Sequence, residues 1–110
     1  MFSNSVINEL INNEGKYMKI GNEKILLDSV EVSLQYPFVH YIFKFEDFYF
    51  HLDTKEEGNK TYLIFTEKGK TKIREFYLSQ KDFLVKYIES TLKNFIDECS
   101  TVKNNKFNWI

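Results

Sequence analysis

Residues 37–53 read PFVHYIFKFEDFYFHLD, a stretch that gathers seven aromatic rings and both histidines of the chain, and its reading decides the fold. Two apolar-rich runs flank Glu46-Asp47. With that pair as a two-residue turn, Phe45 faces Phe48, Phe43 faces Phe50 and Tyr41 faces Leu52. Side chains alternate along a strand, so all six lie on one face and make it dry. The other face receives Lys44 with Tyr49, Ile42 with His51, and His40 with Asp53. Glu-Asp is not a favoured pair for such a turn, so the register rests on the ring pattern. A one-residue slip in either strand would exchange the two faces.

Working outward, the runs KYMKI, EKILLDS, VEVSLQ, TYLIFTE and TKIREFYLS are also short and rich in β-branched and aromatic residues. The turn-like pairs Gly21-Asn22, Asp28-Ser29, Glu46-Asp47, Gly58-Asn59 and Lys68-Gly69 separate them. Connections this short join antiparallel neighbours, because a parallel crossover needs a dozen residues or more. Before the strands, Phe2, Val6 and Leu10 with Ile7 and Ile11 form a narrow helical stripe, with Ser3 or Ser5 to cap it and Gly15 to end it. After them, Ser79 and Asp82 make a capping pair for a helix over Gln80 to Glu98. Its apolar positions run from Phe83 and Leu84 to Phe95 and Ile96.

The predicted fold is therefore α+β in one domain, 1–110. It has an N-terminal helix, an antiparallel meander of about five to seven short strands, and a long C-terminal helix packed on the sheet. The alternative that suits the same element order is a PH-like barrel capped by the C-terminal helix. The stripe on the last helix spans roughly 200°, wider than one sheet contact requires. Its extension, through Val85, Leu92 and Ile96, needs cover from the first helix, from a tail carrying Phe107, Trp109 and Ile110, from a second copy, or from a foreign partner. The expectation is that the tail folds back there; a homodimer through the last helix or tail is the rival.

Composition excludes more than it identifies. The chain has 110 residues, 43% hydrophobic and 17% aromatic, a net charge of −1, no alanine, and Arg74 as its only arginine. This is a packed globule whose preferred residues use A/T-rich codons, which points to a low-GC bacterium or its phage. The neutral balance argues against nucleic acid, despite the basic run Lys68, Lys70, Lys72, Arg74. The single Cys99 forms no internal disulfide and fits a reducing cytoplasm. No apolar run reaches the ~20 residues that cross a bilayer, so no membrane is expected. Gly69-Lys70-Thr71 ends like a phosphate loop but lacks the earlier glycine and the following helix.

No catalytic motif stands out, and no catalytic, cofactor-binding or metal residue is assigned. His40, His51 and Asp53 converge on the wet face and offer ligand or proton-transfer chemistry, but no nucleophile accompanies them. A metal-dependent enzyme built on this trio ranks last. The favoured reading is a cytoplasmic module that binds another protein, as an inhibitor such as an immunity protein against a toxin or a phage counter-defence protein acting on a defence enzyme. Candidate partner-binding residues are Tyr49, His40, His51, Asp53, Lys68, Lys70, Lys72, Arg74 and Trp109, since interfaces use aromatic anchors and complementary charge. The alternative is a small-ligand or phospholipid-headgroup binder with Lys16, Lys19 and Lys24 around a pocket.

Overall fold

The computed structural model describes residues 2–33, 35 and 37–104, with side chains as far as Thr101. The order is α1 (Ser5–Asn12), β1 (Tyr17–Ile20), β2 (Glu23–Ser33), β3 (Phe38–Phe45), β4 (Phe48–Glu57), β5 (Lys60–Glu67), β6 (Lys70–Tyr77), a 3-10 turn (Leu78–Gln80) and α2 (Lys81–Asn104). The six strands form one antiparallel meander in sequence order, with β1 and β6 at its two edges. The sheet is therefore open, and the barrel alternative gives way to an α+β sheet with both helices on one face.

The β3–β4 hairpin has the expected register, with Phe45 opposite Phe48, Phe43 opposite Phe50, and His40 opposite Asp53. Glu46 takes the left-handed conformation that its turn needs, at φ 53°. That conformation costs a non-glycine residue about 1–2 kcal/mol, and the ring pairs on the two strands outweigh it. Lys68-Gly69 makes a second tight turn with both residues at positive φ, where glycine carries no penalty.

One turn expected from sequence is absent. Asp28-Ser29 does not end a strand. β2 continues to Ser33, and the register shifts between Leu27 and Ser29, leaving Asp28 as an extra residue. Asp and Ser suit a bulge for the same reason that they suit a turn, since both break the regular ladder.

Tyr41, Phe43, Leu52 and Leu63 are fully buried against Ile7 of α1 and Leu84, Ile88 and Leu92 of α2. At one end of this layer the rings of Phe50 and Phe95 lie 5.2 Å apart, and those of Phe76 and Tyr87 5.7 Å. The hydroxyl of Tyr41 finds Thr54 at 2.9 Å, so the polar atom of this core ring is satisfied. Burial pushes its ionisation well above the usual tyrosine range.

Asn4, not either serine, caps α1. Its side-chain oxygen accepts from Val6 N at 2.9 Å, while its amide nitrogen donates to Thr61 on β5 at 2.9 Å. The Glu56 carboxylate accepts from the backbone of Ser3 and Asn4 at 2.9 and 3.1 Å, placing an anion at the helix N-terminus. The cap is a local one, spanning two residues, but its anchors are not visible in the local sequence, because Glu56 and Thr61 lie more than fifty residues away along the chain.

α2 also differs from expectation at both ends. The 3-10 turn precedes it, held by Gln80 Oε1 accepting from Tyr77 N at 2.9 Å, so Ser79 is not the cap. The helix runs past Glu98 to Asn104. Of its wide stripe, Leu92 and Ile96 are covered within the chain, and Val85 stays 38% exposed. The tail assigned to that cover, with Trp109, lies outside the described residues.

Candidate functional site

Both helices lie on one side, so alternate residues of every strand face away from them. The strand registers set these residues in rows across the sheet. One row runs Glu31, His40, Asp53, Ile64, Ile73 from β2 to β6, and the next runs Ser33, Phe38, Lys55, Tyr62, Glu75. Tyr17, Leu26, Lys44 and Tyr49 form another row at the opposite end. Large apolar side chains remain in water here: Tyr17, Tyr49, Ile73 and Tyr77 are all about half exposed or more.

At the centre is a hydrogen-bonded chain. His40 Nδ1 lies 2.5 Å from Asp53 Oδ1, and His40 Nε2 lies 3.1 Å from His51 Nδ1. Asp53 accepts the Nδ1 proton, so the Nε2 of neutral His40 is an acceptor. His51 then donates from Nδ1, and its own Nε2 is left as a proton acceptor on an exposed side chain. Adding a proton at His51 Nε2 and passing the Nδ1 proton to His40 places the positive charge beside Asp53. The arrangement can store or relay one proton. It is not shaped as a metal cage, because both His40 nitrogens already face other partners. Among the described residues no group of three His, Cys, Asp or Glu side chains converges as ligands would.

Some of the remaining charges of this face meet partners, while Lys19 and Lys24 face each other across β1 and β2 with no ion pair among the described residues. Lys55 reaches Glu57 at 3.3 Å, Lys60 reaches Glu75 at 3.1 Å, and the Lys44 ammonium lies 5.6 Å from the centre of the Tyr49 ring. The hydrogen bond and charge of Glu75 raise the Lys60 pKa, so that cation persists.

The residues singled out from sequence do not form one cluster. His40, His51, Asp53 and Tyr49 share the open face. Lys70, Lys72 and Arg74 sit in register with Glu67, Phe65 and Leu63, on the helix side of the β6 edge. Lys68 occupies the turn before them. Lys72 pairs with Glu67 at 2.9 Å, and the Arg74 guanidinium lies 5.9 Å from the Tyr87 ring centre. Sequence reasoning missed Tyr17, Tyr62, Ile64 and Ile73 on the open face. Counting alternate positions outward from the β3–β4 hairpin recovers them, given a correct order of strands.

Of the three lysines proposed around a pocket, Lys19 and Lys24 face each other across β1 and β2, and Lys16 stands apart. Lys16 lines a cleft of about 310 Å³ between α1, β1 and α2, whose walls are Val6, Leu10, Met18, Leu27, Val85 and Ile88, with Glu9 and Glu89 also lining it. Lys24 lines a separate groove with Tyr17 and Lys44, and Lys19 lines neither. Cys99 is buried on α2, and burial raises its thiol, with Glu46 and Glu98 adding to the shift.

Compared with known proteins, the chain matches no family model, no curated protein and no solved structure. No helix of the described residues is long and apolar enough to cross a membrane.

Proposed function

We propose that this chain is a cytoplasmic protein-binding module whose open sheet face docks on a partner protein, with inhibition of a toxin or defence enzyme as the favoured role. One observation supports the reading: the helix-free face holds half-exposed aromatic and aliphatic side chains, with Lys55 and Lys60 paired to Glu57 and Glu75 beside them. A protein interface uses aromatic anchors inside a polar rim. Tyr49 with Tyr17 and Ile73 with Tyr62 are the anchors. The His51–His40–Asp53 chain supplies a polar centre that a partner carboxylate or hydroxyl can engage.

The test is affinity capture from an extract of the source organism, followed by mass spectrometry, with native chain and a Tyr49→Asp variant side by side. The reading expects a protein held by the native chain and lost by the variant, and protection of His51 from diethyl pyrocarbonate in the complex. A partner retained equally by both, or none captured, removes it.

The cleft lined by Lys16 favours a second reading, a small apolar ligand. Its volume lies at the lower end for ligand pockets. Titration with a hydrophobic fluorescent dye, with Val85→Glu as control, decides whether it is occupied from solution.

A further inference from the structure

The two edges of the sheet are treated differently by the fold. α2 packs against both edge strands, but β1 is only four residues long. β6 is eight residues long, pairs among the described residues only with β5, and exposes most of its side chains. An edge strand of this length presents a row of backbone N–H and C=O groups to any extended chain that fits beside it.

A second copy does not fit. Facing residues of an antiparallel pair lie on the same face, so in a two-fold pair of β6 strands they are both odd or both even in number. The registers that overlap most of the strand set Lys72 on itself with Lys70 on Arg74, Lys72 on Arg74, Arg74 on itself, or Glu75 on itself. Every one places like charges directly opposite, which destabilises a cross-strand pair.

Blunting against self-association would need nothing more than this charge, yet apolar groups flank the edge on both sides. Ile73 and Tyr77 stand exposed on the open face. On the helix side Phe83 is 66% exposed, one turn before Tyr87, whose ring meets Phe76 and Arg74 of β6. The edge thus combines free backbone groups, three cations along one side and apolar neighbours along both.

We infer that β6 is a docking edge for an extended segment of another protein, which adds a seventh strand. Acidic residues at alternate positions of that segment face Lys70, Lys72 and Arg74, and the apolar residues between them face Ile73. Main-chain hydrogen bonds give such additions their affinity and alternate side chains their specificity. A nucleic-acid strand would find the same cations but cannot complete the backbone ladder. The inference rests on the reading of the chain as a protein binder but uses the β6 edge and shares only Ile73 with the open-face anchors, so Tyr49→Asp and Lys70→Glu let the two fail separately.

The test titrates the full chain at low salt into a fluorescein-labelled peptide that alternates Glu with Val, read by anisotropy. Beside it run a peptide of the same composition with its glutamates clustered at one end and a labelled oligothymidine. The alternating peptide should saturate, slow hydrogen exchange at β6 amides and leave β1 amides unchanged. Lys70→Glu, an exposed position with no ion-pair partner among the described residues, should weaken it about tenfold or more, and a matching urea midpoint confirms that this variant folds. The open-face variant Tyr49→Asp should bind the peptide as the native chain does. Equal binding of the two peptides, tighter binding of the oligonucleotide, loss of peptide binding in Tyr49→Asp, or no binding at all overturns the inference.

Discussion

The two faces of the β3–β4 hairpin are built from the same two strands by alternate residues, and they have opposite fates. Tyr41, Phe43 and Leu52 are fully buried beneath the helices, while Tyr49 and His51, one step along, are exposed. Composition does not separate them, since both faces carry aromatic rings. What separates them is cover: among the described residues two helices lie on one side and none on the other. A ring on the covered side is fixed by the fold, and a ring on the bare side stands in solvent.

Four measurements sharpen or break that contrast. The largest effect belongs to Phe43→Ala, which should lose ~3–5 kcal/mol in urea unfolding, from lost burial and the cavity left behind. Phe50, only partly buried between the Phe65 and Phe95 rings, should lose less than Phe43. Next comes Asn4→Ala, which removes the α1 cap and leaves Thr61 without its amide partner. About 1–3 kcal/mol should go, read by the same unfolding curves.

The third concerns pH. Tyr41 ionises in the unfolded chain near pH ~10 but stays protonated in the fold, because burial raises it. Above that pH the folded state holds a proton that the unfolded chain has released. Stability therefore falls as pH rises, by at most about 1.4 kcal/mol per unit from this group. Urea midpoints in alkaline buffers should show that slope reduced in Tyr41→Phe. The smallest effect is expected on the bare face. Asp53→Ala should cost no more than about 1 kcal/mol despite its short contact with His40, since both side chains are partly solvated.

Much of this was legible in particular residues. The alternation of Tyr41, Phe43 and Phe45 with Phe48, Phe50 and Leu52 pointed to the register that the hairpin has, although Glu46-Asp47 is not a favoured turn pair. The charge and polarity of His40, His51 and Asp53 marked the bare face by the same rule. Three things were not legible. Asp28-Ser29 reads as a turn and is a bulge, and only the pairing of β2 with β3 tells them apart. The anchors of the Asn4 cap, Glu56 and Thr61, reach it only after folding. The basic row from Lys70 to Arg74 seemed to belong with Tyr49, but parity along β6 puts it on the other side of the sheet.

The account's central claim is that the fold does not need the side chains of the open face. A Tyr49→Thr/Ile73→Thr double variant tests it most directly, since threonine preserves strand preference while removing both large apolar groups. Urea unfolding should place this variant within about 1 kcal/mol of the native chain. A loss as large as that of Phe43→Ala would mean that these side chains hold the structure together, and would contradict their assignment to a partner.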